Sequence, residues 1–124
     1  MGQLEQRKVL VVEDEVLIAM ELESVLAEAG CDTVRLASSV PEALQAVSDA
    51  VPDVAVLDVS VKGDPVFPVA DALANIAVPF VLLTGHSLAS MPDRLRDRPF
   101  LVKPYEPTKL VKLLAEVIAA QSGA

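Results

Sequence analysis

Four short apolar runs organise this chain, and each stops at a residue suited to handling phosphate. Val9-Leu10-Val11-Val12 leads into Glu13-Asp14, and Val54-Ala55-Val56-Leu57 leads into Asp58. Phe80-Val81-Leu82-Leu83 ends in Thr84-Gly85, and Phe100-Leu101-Val102 ends in Lys103-Pro104. Apolar runs of this length, bounded by turn residues, predict strands buried on both faces, as in parallel sheets. In an open parallel sheet the ligand crevice lies beyond the carboxyl ends of the strands. Three acids, one lysine and one hydroxyl are therefore expected along a single edge, where they make a metal-and-phosphate site.

The intervening segments read as helices. One is expected from about Glu15 to Ala29, with Ile18, Leu22, Val25, Leu26 and Ala29 on one face, Asp14 as N-cap and Gly30 at the left-handed C-terminal position. Thr33–Ala37 makes a less regular strand, and Pro41 begins a second helix over about 41–50. A loop over 59–65 precedes a helix over roughly 67–76, and a last helix starts near Pro107 with Leu110, Leu113, Leu114, Val117 and Ile118 facing inward. Strands alternating with helices predict an α/β fold, a doubly wound parallel sheet. The flavodoxin-like (βα)5 order, 2-1-3-4-5, sets strands one and three side by side at the switch point and gathers Glu13, Asp14 and Asp58. Lys103 reaches in from strand five.

Composition narrows the possible functions. At 124 residues there is room for one domain with a real core. Aromatics are 3% of a chain that is 52% apolar, so that core must be aliphatic. No apolar run is long enough to span a bilayer and no signal-type segment opens the chain, so a cytoplasmic protein without membrane contact is expected. The net charge of −8 argues against nucleic-acid binding. One cysteine, Cys31, and one histidine exclude an internal disulfide and a structural zinc site. The expected organisation is a tail over 1–7, a single domain over 8–121, and a frayed end over 122–124.

Two carboxylates about 4 Å apart repel by roughly 4 kcal/mol at an effective dielectric near 20. A cluster of three either raises its pKa values or holds a cation. All-oxygen ligands point to a hard ion, and Mg²⁺ suits a site with few carboxylates. An aspartate can act as nucleophile on phosphorus. Asp58, at the end of the central strand, is the expected nucleophile, with Glu13 and Asp14 as metal holders. Lys103 offers a cation and Thr84 a hydroxyl to the transferred group. Each residue alone has a plainer reading as a turn or cap; four matching strand ends together do not.

Val11-Val12-Glu13-Asp14-Glu15, Val56-Leu57-Asp58-Val59, Leu83-Thr84-Gly85 and Val102-Lys103-Pro104-Tyr105 together resemble the receiver domains of two-component response regulators, from about Lys8 to Ala120. The resemblance implies that Asp58 accepts a phosphoryl group from a histidine kinase or histidine phosphotransfer protein and signals to a downstream protein. It implies that Glu13, Asp14, Asp58 and the backbone carbonyl of Ser60 bind Mg²⁺, that Lys103 and Thr84 contact the phosphoryl group, and that Lys103-Pro104 is cis. Thr84 and Phe100 would form the conformational switch, although Phe100 also reads as a core aromatic. Ser60 and His86 stand where the family tunes dephosphorylation; His86 reads slightly better as a solvated loop residue.

Fifteen residues lie between Thr84 and Phe100, fewer than in most receivers, and Pro92 interrupts them. Helix four is therefore expected to be short or missing. Pro79-Phe80 with Thr84-Gly85-His86 resembles an alphaproteobacterial subgroup of receivers, rich in single-domain members, in which this helix is reduced. A monomer or weak dimer is expected. The competing readings are an aspartyl-phosphate phosphohydrolase, a flavodoxin and a non-phosphorylated interaction module. The first lacks an acid at Ser60, the second would place Glu13-Asp14-Glu15 against its cofactor phosphate, and the third leaves a full set of site residues unused.

Overall fold

The computed structural model describes residues 4–85 and 91–122. Its strands are β1 (Lys8–Val12), β2 (Thr33–Ala37), β3 (Val54–Asp58), β4 (Ser60–Val61), β5 (Asp64–Pro65), β6 (Phe80–Thr84) and β7 (Phe100–Val102). Its α-helices are α1 (Val16–Glu28), α2 (Val40–Asp49), α3 (Phe67–Asn75) and α4 (Pro107–Ser122). Five strands form one parallel sheet in the order β2-β1-β3-β6-β7. With the two short strands β4 and β5 set aside, this is the expected 2-1-3-4-5 order.

Alternate residues of each strand feed opposite faces, so the sheet divides the apolar residues into two cores. Leu10, Val12, Ala55, Leu57, Phe80 and Leu82 pack under α2 and α3. Val9, Val11, Val54, Val56, Val81 and Leu83 pack under α1 and α4, against Leu22, Leu26, Leu110, Leu114 and Ile118. Both cores are almost wholly aliphatic, with Phe80 the one large aromatic side chain fully buried among the described residues. The first core contains Ala43 and Ala46 of α2 where larger residues would reach further toward the sheet.

Helix ends follow local chemistry. Ser39 caps α2 by accepting the Glu42 N–H at 3.2 Å, with Pro41 in the first turn. After α1 the chain takes a left-handed turn at Gly30, with φ of 98°. There Gly30 N–H bonds to Ala27 and Cys31 N–H to Leu26, a Schellman closure. The residue before α1 is Glu15, without a side-chain cap, and not Asp14 as the sequence suggested. Asp14 instead accepts the Lys62 N–H across the site. The segment ahead of β1 is tied down as well: Leu4 is fully buried, and Leu4 and Gln6 donate to Ala29 and Gly30.

The expected loop over 59–65 is a tight hairpin of β4 and β5, with positive φ at both Lys62 and Gly63. That pair of left-handed residues is what a two-residue hairpin demands, and Gly63 adopts it freely. Between β6 and β7 the described residues contain one 3-10 turn, Asp93–Leu95. Met91 and Leu95 anchor that connector in the first core, and Arg94 forks onto Asp71 of α3 through two bonds of 2.9 Å. Both partners of this fork are about half exposed, so the apolar anchors carry most of the attachment. Leu95→Ala is expected to destabilise the domain by about 2–4 kcal/mol, and Arg94→Gln by about 1 kcal/mol or less. Urea unfolding of the two variants measures the contrast, and equal losses would contradict it.

Candidate functional site: an acidic cluster at the sheet edge

The parallel register brings the strand ends to one edge. Val12 pairs with Leu57, and Asp58 with Leu83, so Glu13, Asp58 and Thr84 leave the sheet on neighbouring strands. Glu13 N–H still bonds to Ala37, one step beyond β1, which fixes the start of the acidic pair. On the far side Lys103 N–H donates to the Thr84 carbonyl at 2.8 Å, and the Lys103–Pro104 peptide is cis.

One oxygen from each of Glu13, Asp14 and Asp58 lies within 4.8 Å of the others. The Lys103 ammonium closes the cluster, donating to Asp58 Oδ2 at 3.0 Å and Glu13 Oε2 at 3.3 Å. Glu13 also accepts the Glu15 N–H at 3.1 Å, and Asp58 Oδ1 accepts the Ser60 N–H at 3.4 Å. One ammonium facing three carboxylates leaves an excess of negative charge, held by oxygen donors alone. That donor set fits a hard divalent cation.

Burial separates the three acids. The Glu13 side chain is fully buried, and desolvation, helped by the charge of Asp58, pushes its carboxyl up to about 7 against the Glu15 N–H and Lys103. Asp14 is held below the usual carboxylate range, chiefly by the Lys62 N–H at 2.8 Å. Desolvation lowers Lys103, but its bonds and charge contacts with Asp58 and Glu13 outweigh this and hold the ammonium above its ordinary value. Asp58 keeps 12% of its side-chain surface open. Of the two acids that Lys103 contacts, it is the one with surface left open, Glu13 being fully buried.

Of the residues singled out from the sequence, Glu13, Asp14, Asp58 and Lys103 meet in this cluster, with Thr84 buried on the next strand. Ser60 lies two residues beyond Asp58 with its side chain exposed. Phe100 is 38% exposed, so it is no ordinary core aromatic. His86 lies outside the described residues. The backbone N–H groups of Lys62 and Glu15, which orient Asp14 and Glu13, escaped the sequence reading. A Lys-Gly pair after an Asp-bearing strand signals the first as a turn; nothing in the side chains signals the second. Tyr105, half-buried against the α1–α4 core, has its phenol pushed up to about 12 by burial.

The family model described as the response regulator receiver domain matches residues 9–115. The chain is similar to the transcriptional regulatory protein PdtaR of Mycobacterium tuberculosis, at 32% identity over 85% of this chain and 53% of that protein. It thus spans about half the length of the curated relatives it matches. Its fold is similar to the solution structure of SdrG from Sphingomonas melonis Fr1, at 41% identity and a TM-score of 0.75, covering 98% of this chain and 99% of the other. It is also similar to a response regulator structure from Chloroflexus aurantiacus, at 30% identity and a TM-score of 0.80, covering 93% and 99% of the two chains. A family match that runs from the first strand into the last helix, on a sheet whose edge gathers these carboxylates and this lysine, makes the chain a member of the response regulator receiver domain family.

Proposed function

We infer that this protein works as a phosphorylatable receiver, taking a phosphoryl group on Asp58 from a histidine kinase or a histidine phosphotransfer protein and signalling to a downstream protein. The observation that carries this reading is the contact of Lys103 with both Asp58 and Glu13, which puts a cation beside a partly open carboxylate of an acidic cluster. In the transfer, an Asp58 carboxylate oxygen forms the new P–O bond while the P–N bond to the donor imidazole breaks and the imidazole departs. Such transfers rest on positioning and charge neutralisation. Lys103 exchanges its bond to Asp58 for one to a phosphoryl oxygen, and the Thr84 hydroxyl donates to another.

Glu13, Asp14, Asp58 and the Ser60 carbonyl would hold Mg²⁺, which when bound offsets the charge that otherwise repels a phosphate. The chemistry is self-phosphorylation followed by slow self-dephosphorylation, with Ser60 and His86 setting access for water. Phe100 and Thr84 form the switch: the exposed ring turns inward as Thr84 moves to the phosphoryl group. Helix four of the family is reduced in this reading to the neighbourhood of the Asp93–Leu95 turn, as in the single-domain subgroup that the sequence resembles, and this is consistent with a monomer or weak dimer.

Incubation with Mg²⁺ and acetyl phosphate is expected to add one phosphoryl group by intact mass. The adduct is expected to vanish in Asp58→Asn and in excess chelator. An adduct that persists in Asp58→Asn would place the acceptor elsewhere and overturn the assignment. In metal-free buffer, Lys103→Met leaves Glu13 and Asp58 facing each other without a cation, and is expected to destabilise the fold by about 1–3 kcal/mol. Adding Asp58→Asn is expected to recover part of that loss, as read by urea unfolding across a double-mutant cycle. Strict additivity would show that the three groups do not act as a unit.

A further inference from the structure

At the opposite end of the molecule from the acidic cluster, a cleft of about 350 Å³ opens between α2 and the β1–β2 edge of the sheet. Its walls are mostly apolar: Leu10 from the sheet, Ala46 and Ala50 from α2 and the residue after it, and Pro52. The cause is legible in the packing. On this face the register sets Lys8 beside Thr33 and Leu10 beside Arg35, so Leu10 is the one aliphatic side chain among these four. The helix above answers with alanines, and the space between is left unfilled.

The charged residues that line this cleft are both basic, with Asp49 and Asp53 standing beside them. The protein carries a net charge of −8, and six of its ten Lys and Arg residues fall between Arg94 and Lys112. The other four are Arg7, Lys8, Arg35 and Lys62. Lys8 and Arg35 line the cleft, and Arg7 lines the adjoining one, which shares Pro52. Among the described residues the Lys8 ammonium has no partner, its backbone N–H alone bonding to Asp53. Arg35 uses one nitrogen of its guanidinium on Asp49, at 3.0 Å, and the other nitrogens have no protein partner among the described residues. Two incompletely used cations thus sit on neighbouring strands over an apolar cleft.

We propose that this cleft binds a small, free anionic amphiphile: an aliphatic carboxylate whose chain lies against Leu10, Ala46 and Pro52 and whose head sits between Lys8 and Arg35. A volume of this size falls within the range of ligand sites. At the ~30 Å³ that one water occupies in the liquid, it takes about a dozen non-hydrogen atoms, enough for a chain of about eight carbons with its head group. Because the cleft and the acidic cluster lie at opposite ends of the strands, binding here needs no phosphoryl group and no metal. Its failure would leave the phosphorylation assignment standing.

The test is a titration of sodium octanoate into isotope-labelled protein without Mg²⁺ or phosphodonor, followed by backbone amide shifts. Saturable shifts are expected at Val9, Leu10, Val34 and Ala46. Hexanoate is expected to bind about tenfold more weakly, two methylenes being lost. Lys8→Gln with Arg35→Gln is expected to weaken octanoate severalfold while leaving octan-1-ol unchanged, and Ala46→Leu is expected to abolish both by filling the space. If Ala46→Leu fails to fold, the exposed Lys8 and Arg35 substitutions and the chain-length series decide the question alone. Non-saturable shifts, or shifts centred on the exposed Val16, Leu17 and Met20 of α1, would overturn the proposal. So would binding to phospholipid vesicles with no response to octanoate.

Discussion

The ammonium of Lys103 is the interaction on which the site depends. Glu13 and Asp58 end adjacent strands and are driven together by the register of the sheet, which the apolar residues of two cores fix. Nothing about that packing favours two carboxylates at the same edge. Lys103 makes their proximity tolerable, at 3.3 and 3.0 Å, and it comes from the strand on the far side of β6. The fold therefore has to close through β7 before the cluster is electrostatically acceptable. One cation against three acids still leaves an excess negative charge, and this residual imbalance is what makes the edge receptive to a divalent ion.

Much of this was legible in the chain. Buried strands declare themselves as unbroken aliphatic runs, and the residues that end them declare the edge; with the flavodoxin-like strand order added, the meeting of Glu13, Asp14, Asp58 and Lys103 followed. What escaped was carried by the backbone. Asp14 looks like an N-cap because it precedes a helix, yet its carboxylate accepts the Lys62 N–H, a partner 48 residues away that the β4–β5 hairpin supplies. The burial of Leu4 was equally hidden, since a lone leucine in a polar stretch carries no period. The exposure of Phe100 could not be read from its type, because the sequence does not say what covers the outer strand.

The two faces of the sheet differ in how completely they are covered. The α1–α4 face is packed by long side chains from both helices, Leu22, Leu26, Leu110, Leu114 and Ile118. The other face is packed by α3 and by an α2 whose inward positions include Ala43 and Ala46, and at β7 it leaves Phe100 and Val102 about two-fifths to one-half exposed. The α2–α3 side holds the cleft beside β2 at one margin and the partly exposed outer strand at the other.

The backbone bond from Lys103 to the Thr84 carbonyl has a consequence for how such chains can vary. It is made between neighbouring strands, so the two residues stay in step whatever path the chain takes between them. Leu82 and Pro99 are joined in the same way at the lower end of the pairing. Segments of different length can be spliced in between β6 and β7 without altering the backbone spacing of Thr84 and Lys103. The connector can thus vary in length as long as residues such as Met91 and Leu95 keep it anchored in the core.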